Sequence, residues 1–304
     1  MPIRRVPVHR WRPRIGVAVT AGVLLLGAGC LHAPRSSTPA PATAHCFPVE
    51  RLSPDDRAMA DRLLLQLGDG EALYTLAGGL KPVSSEVIDA SIRVAPSVDT
   101  VELARIDQLR RVTAALSCGE VGAFVQLFAA PTRRADSTVV RQAAIVVYHR
   151  HALETLVRRQ SVFFGSLGLS PAADPRDLVA AVEYAERAPR WRGYGYLFGY
   201  PDAAVDFFVE AGEEGDRTGR LVPRDFRRIE TVRRFPETRG GPPVLSAFVY
   251  AVPKGAPPSA DDLRLQTAAA PLLARYRTAR ARYITPDSSG ALLLWRAWFA
   301  APTP

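Results

Sequence analysis

Two histidines one residue apart are the first candidates for chemistry in this 304-residue chain. His149 and His151 flank Arg150 and directly follow the apolar run 143–148, AAIVVY. An extended backbone places residues i and i+2 on one side, where two imidazoles can hold one metal ion. Metal sites generally need further protein ligands, and no other histidine or cysteine lies near in sequence. A capping or surface pair is therefore favoured, and neither a metal nor a cofactor is predicted.

The second candidate is the segment 194–201, YGYLFGYP, in which glycines alternate with aromatic residues. Glycines within a strand let a ligand or another backbone approach closely, and ligands of α/β folds lie where a strand gives way to a helix. Any ligand bound here is expected to contact Tyr200 and Asp202. The alternative is an aromatic core strand that ends in a tight turn. Because the segment lacks a G-x-G-x-x-G pattern, nucleotide binding is not predicted.

Lys81 is the third candidate, as one of only two lysines among 39 basic residues. A lysine can lower its pKa and act as a base, and Ser84 or Ser85 would then serve as the nucleophile. The chain contains neither an S-x-x-K nor a G-x-S-x-G motif. No catalytic residue is therefore assigned from the sequence.

The elements that must position these candidates follow from the apolar pattern. The run 143–148 predicts a buried strand, and residues 152–167 have the spacing of a helix. Asp174 predicts the cap of a further helix over 175–188. The segment 194–200 is predicted to be an aromatic strand, followed by a helix that begins at Pro201-Asp202.

The remaining folded part predicts further helices and strands. Ser53-Pro54 marks the start of one helix, and Ser259 is predicted to cap another, with Asp261 in its first turn. Residues 225–235 and 244–252 predict two antiparallel strands. The expected fold class is α/β or α+β, with a mixed sheet of about four to six strands and helices packed against it. Residues 45–304 are predicted to form a single globular domain.

Two cysteines, Cys46 and Cys118, lie within this predicted domain. An even pair in an oxidising compartment predicts a disulfide that would join the start of the domain to the end of a helix. The alternative is a pair of buried free thiols.

The first 29 residues have the pattern of a secretory signal peptide. An apolar run, 15–26, and three small residues, 27–29, follow a basic start without acidic residues. The apolar run is shorter than the roughly 20 residues that span a bilayer, so a permanent transmembrane helix is the less favoured alternative. The basic start contains five arginines: Arg4, Arg5, Arg10, Arg12 and Arg14.

The stretch 24–30, LLLGAGC, resembles the lipobox of bacterial lipoproteins. The resemblance implies cleavage between Gly29 and Cys30, with Cys30 as the lipidated first residue. Gly27 departs from the pattern, because the family prefers a branched apolar residue there. Leu31 in place of aspartate implies the outer membrane or periplasm, if the organism is Gram-negative. The alternative is ordinary cleavage after Ala44 in the A-x-A site 42–44.

Residues 30–44 are predicted to form a tether, because this proline- and serine-rich stretch has too little apolar surface to fold. Charge is consistent with an exported domain that needs no nucleic acid. Of the formal charge of +9, the leader supplies five arginines and no acid, which leaves 34 basic against 30 acidic residues.

The predicted function is that of an envelope-anchored lipoprotein, most readily a non-catalytic binding or assembly component. The absence of a catalytic motif with suitable spacing favours this class over catalysis. The alternative is an envelope hydrolase or metal-dependent enzyme that uses the His149 or Lys81 region. The expected partners are the membrane, through the lipid anchor, and an envelope protein or polysaccharide.

Overall fold

The computed structural model of the protein describes residues 46–232, 248–285 and 289–301. The predicted signal peptide, residues 1–29, and the predicted tether, residues 30–44 with Cys30, lie outside the described residues. The described residues fall within one compact unit, Ala40–Pro304. None of the helices within the described ranges combines the length and the apolar character needed to cross a membrane.

A four-stranded antiparallel sheet lies at the centre of the domain. Its strands are β1 (Val83–Ala95), β2 (Val121–Leu127), β3 (Thr132–Arg133) and β4 (Val139–His149). The order is β1-β4-β2, and the short β3 also pairs with β4. Strand β4 is therefore central, which explains its continuous apolar run: successive side chains point to opposite faces, and both faces are buried.

Helices cover the two faces of this sheet. The described ranges contain the α-helices α1 (Pro54–Asp69), α2 (Leu73–Leu76), α3 (Thr100–Ala114), α4 (Arg150–Arg159), α5 (Ser161–Ser166), α6 (Pro175–Glu183), α7 (Arg187–Leu197), α8 (Asp202–Thr218), α9 (Ala260–Tyr283) and α10 (Ala291–Ala300). Their capping residues confirm three predicted starts. Side-chain oxygens of Ser53, Asp174 and Ser259 accept hydrogen bonds from the first turns of α1, α6 and α9.

Two hydrophobic cores result from this arrangement. On one face, Ile145 and Val147 belong to a large core with α1, α2, α3, α9 and α10. On the other face, Val146 belongs to a smaller core with helices α4 to α8. Alternate residues of one strand thus support both halves of the domain.

A second, two-stranded sheet consists of β5 (Arg224–Ile229) and β6 (Phe248–Pro253). The strands pair antiparallel, from Arg224 opposite Pro253 to Ile229 opposite Phe248. This confirms the predicted pairing for the described parts of the two segments, while residues 233–247 lie outside the described ranges. Phe248 and Tyr250 point into the large core.

The fold class is confirmed: helices pack against a β-sheet. All described strand pairs are antiparallel and the strands divide between two sheets, so the α+β form of the prediction describes the protein.

The prediction of a strand over 194–200 is wrong. Residues up to Leu197 belong to α7, and Phe198 to Tyr200 form the turn that leads into α8. A Cβ on Gly193 would lie 2.7 Å from the side chain of Val182, and one on Gly195 would lie 2.7 Å from that of Val205. Gly193 and Gly195 therefore allow close helix packing in α7, while Gly199 lies in the turn that follows.

A disulfide joins Cys46 and Cys118, 72 residues apart in sequence. Both residues are buried in the large core. The bond holds the first described residue beside the connection between α3 and β2.

Candidate functional site

A cleft of about 650 Å³ lies at the junction of the two cores. Two helix faces line it, and each face has the i, i+3, i+4, i+7 spacing of one side of a helix. Helix α4 contributes positions 152, 155, 156 and 159, and α9 contributes positions 261, 264, 265 and 268. The loop 78–82 and the turn 199–202 complete the lining.

Four of the residues that the sequence singles out meet in this cleft. His149 and His151 come from the junction of β4 and α4, while Tyr200 and Asp202 come from the junction of α7 and α8. Lys81 does not line the cleft, although its neighbours Leu80 and Pro82 do. Two of the three candidate regions thus line the same cleft, and the third, which contains Lys81, lies beneath it.

His149 caps helix α4 with its side chain. Its Nδ1 accepts a hydrogen bond of 3.4 Å from the backbone N–H of Ala152, and its own backbone N–H donates to the carbonyl of Pro82 at 2.9 Å. Because Nδ1 is an acceptor, the proton of the neutral ring resides on Nε2. Burial lowers the pKa of His149, and nearby His151 adds to this effect while Glu120 opposes it. His149 is therefore a neutral hydrogen-bond donor near neutral pH.

Two glycines allow the loops of the cleft to approach their neighbours. Gly79 has φ +67°, and a Cβ there would lie 2.9 Å from Cγ of His149. Gly199 has φ +71°, and its Cβ would lie 3.0 Å from the carbonyl oxygen of Leu80. Both positions need the left-handed backbone that glycine adopts without steric cost.

Ion pairs occupy the exposed rim of the cleft. Arg159 lies 3.4 Å from Asp202, and their side chains are 59% and 52% exposed. Gln160 donates a second hydrogen bond of 3.0 Å to Asp202. On the other helix, Arg264 pairs with Asp261. Each acid lies in the first turn of its helix, where the helix dipole favours a negative charge.

Tyr200 links the cleft to the core beneath it. Its ring stacks on Phe248 at 6.0 Å and contacts Tyr250 at 5.5 Å. Burial, with a contribution from Glu71, raises the pKa of Tyr200 well above its ordinary value. Within the described ranges its hydroxyl has no hydrogen-bond partner, so the group is a protonated donor that a ligand can use.

The Lys81 cluster, formed by Glu71, Lys81, Phe198, Tyr200 and Phe248, lies directly below. Nζ of Lys81 is 2.7 Å from Oε2 of Glu71, and the two side chains are 0% and 4% exposed. The ammonium also lies 4.5, 5.1 and 5.8 Å from the ring centres of Phe248, Phe198 and Tyr200. Burial raises the pKa of Glu71, and the adjacent Lys81 opposes the rise. Aromatic faces and a carboxylate thus surround the charge of Lys81.

The buried position of Lys81 bears on the serine–lysine hypothesis. Ser84 is fully buried, and its Oγ lies 2.8 Å from Oγ1 of Thr75. A nucleophile must contact its substrate, whereas neither Ser84 nor the ammonium of Lys81 reaches the cleft. The arrangement of these two residues supports a structural role.

The cleft offers two histidines to a metal ion, and Nδ1 of one of them is already an acceptor. Across the described ranges, no group of three or more His, Cys, Asp or Glu side chains is placed to hold a metal.

No protein-family model, curated protein or solved structure matches this chain. The chemistry of the cleft must therefore be inferred from its own residues. The sequence did not indicate that Arg159, Asp261 and Arg264 line a cleft. Each has the character of an ordinary surface residue, and only the tertiary structure places α4 and α9 along the same cleft. The pair Gly78-Gly79, ahead of Lys81, was the available signal for a close approach of loops.

Proposed function

We propose that this protein is an exported, lipid-anchored envelope component whose domain binds a ligand in the cleft without transforming it. One observation carries the proposal: His149 and the neighbouring residues Tyr200 and Asp202, from two segments that lie far apart in the chain, converge on one cleft. Its volume of about 650 Å³ lies within the usual range of small-molecule sites.

Binding is favoured over hydrolysis by the state of the reactive groups. Lys81 is paired with Glu71 away from solvent, and Ser84 is fully buried. The polar groups that reach the cleft are the neutral ring of His149, the hydroxyl of Tyr200, the paired charges of the rim, His151 and Thr155. Such a set of donors and acceptors is suited to recognition. The same constellation lacks a nucleophile held against a base, the arrangement that covalent hydrolysis requires.

The anchor rests on the lipobox-like stretch that ends at Cys30. Several acyl chains on one residue give stable attachment, whereas one chain gives only marginal binding. We expect the full chain to fractionate with membranes and its Cys30→Ala variant to lose both lipid and membrane attachment. Mass spectrometry of the amino-terminal peptide checks this, and an unmodified Cys30 in a membrane-free product would refute the anchor.

The cleft is tested by filling it. Ala268 of α9 lines the cleft, whereas Ala270 of the same helix is exposed and lies outside the lining. In native mass spectrometry of protein purified from its own envelope, Ala268→Trp should lose any bound small molecule that wild type and Ala270→Trp retain. Equal retention by both variants, or a wild type that binds nothing from envelope extract, would refute the cleft as a ligand site.

A further inference from the structure

Besides the two histidines, His149 and His151, the acidic and basic residues that line the cleft are two arginines and two aspartates, whose charges cancel in pairs. Arg159 pairs with Asp202, and Arg264 pairs with Asp261. His149 is neutral because its Nδ1 accepts the hydrogen bond from Ala152 and burial disfavours its charged form. An ionic ligand would have to compete with an existing partner for each charge. The lining therefore favours a ligand without net charge.

The polar groups of the cleft include both donors and acceptors. The ring of His149 presents an Nε2–H donor, and the hydroxyl of Tyr200 can donate and accept. Asp202 offers carboxylate oxygens, and Arg159 offers guanidinium N–H groups beside them. Hydroxyl groups, which both donate and accept, fit such a mixed set. An acyl chain would bury the same groups without partners, which is unfavourable.

Apolar side chains also line the cleft. Leu156 and Leu265 line the cleft from the two helices, and Pro82 and Ala268 add small apolar faces. A sugar ring combines a face of C–H groups with a rim of hydroxyls, so it matches apolar patches bordered by donors and acceptors.

We propose that the ligand of the cleft is a neutral saccharide, with the ring packed between α4 and α9 and hydroxyl groups bonded to His149, Tyr200 and Asp202. The inference rests on the proposed function, because it names the ligand class of the same site.

The test is isothermal titration calorimetry on the full chain in detergent micelles. The neutral sugar probes are N,N′,N″-triacetylchitotriose and maltotriose. The contrasting probes are trigalacturonate, an anionic sugar, and the peptide trialanine, which carries one positive and one negative charge. At least one neutral probe should bind saturably. Its affinity should change by less than about twofold between low and high salt, since no ion pair forms with the ligand.

Two variants place the binding in the cleft. Tyr200→Phe removes one hydroxyl and keeps the ring, so the affinity for the neutral probe should fall roughly two- to tenfold. Tyr184→Phe removes an exposed hydroxyl of a residue that does not line the cleft, so its affinity should equal that of wild type. Ala268→Trp should abolish binding, with Ala270→Trp as its control.

The outcomes separate this inference from the proposed function. Binding of only trigalacturonate or trialanine, lost in Ala268→Trp, would overturn the saccharide and leave a ligand site in the cleft. Absence of binding by both neutral probes would also overturn the saccharide proposal. The proposed function would still be decided separately, by whether wild type retains a native ligand that Ala268→Trp loses. A neutral probe that binds Ala268→Trp as well as wild type would place the sugar elsewhere and overturn the inference.

Discussion

Two kinds of ion pair lie next to the same short segment, residues 198–202. In the Lys81 cluster, both charged side chains are withdrawn from solvent, whereas Arg159 and Asp202 on the rim of the cleft are each more than half exposed. Water and salt weaken the exposed pair, while the buried pair depends on its partner and on the surrounding rings. The comparison teaches that similar ion pairs can differ in role: the buried pair supports the structure, and we propose that the exposed pair takes part in ligand recognition.

Tyr200 belongs to both regions. One side of its ring contacts the aromatic residues of the Lys81 cluster, and the residue also lines the cleft. The buried cluster can therefore hold a residue of the cleft lining in place without being accessible itself.

The largest expected effect comes from breaking the buried pair. Lys81→Met would leave Glu71 buried without its cation, so the free energy of unfolding should fall by about 3–5 kcal/mol. Urea denaturation of the purified protein measures this loss. As a control, the double variant Glu71→Gln/Lys81→Met should lose less than Lys81→Met alone, because no unpaired charge remains. A single variant as stable as wild type would contradict the buried pair.

A smaller effect concerns the cap that joins the two regions. Burial lowers the pKa of His149 in the folded protein, so this side chain binds fewer protons in the folded state than in the unfolded chain. The contribution of neutral His149 to the free energy of unfolding is therefore fully present above the ordinary histidine pKa of about 6.5. It is lost as the pH falls toward the lowered pKa of the folded state. Protonation also ends the acceptor role of Nδ1, and loss of a helix cap costs about 1 kcal/mol.

Urea denaturation between pH 7.5 and pH 5 checks this dependence, with both values chosen to bracket the ordinary pKa of about 6.5. His149→Asn keeps a capping side chain without the titration, so its stability should depend less on pH than that of wild type. His151→Asn, at an exposed position, should retain the full dependence. Equal pH profiles for wild type and His149→Asn would contradict the role of the cap.

The smallest expected effect on stability concerns the rim. Arg159→Met removes one partner of an exposed pair, so the free energy of unfolding should change by no more than about 1 kcal/mol. The same variant should weaken binding of the ligand in the cleft. Urea denaturation and calorimetry on one preparation measure both quantities. A loss of stability as large as that of Lys81→Met would remove the distinction between the two regions.

Local sequence patterns predicted several elements correctly. The run 143–148 indicated a buried strand because a central strand carries apolar residues on both faces. Ser53, Asp174 and Ser259 marked helix starts because their side chains satisfy free backbone N–H groups nearby in sequence. The prediction of a strand over 194–200 is wrong, because glycines that alternate with aromatic residues suit a strand and equally suit a closely packed helix.

The sequence by itself determined most of the local elements, a fold in which helices pack against a sheet, and four residues that line the cleft, because capping, apolar periodicity and residue chemistry act over short distances. The antiparallel strand pairing of the structure decided between the α/β and α+β classes. Only the tertiary structure decided that Lys81 pairs with Glu71 beneath the cleft and that Arg159 and Arg264 belong to its lining. These relations join segments far apart in the chain, and they depend on how α4, α9 and the two glycine-containing loops pack, which no local pattern specifies.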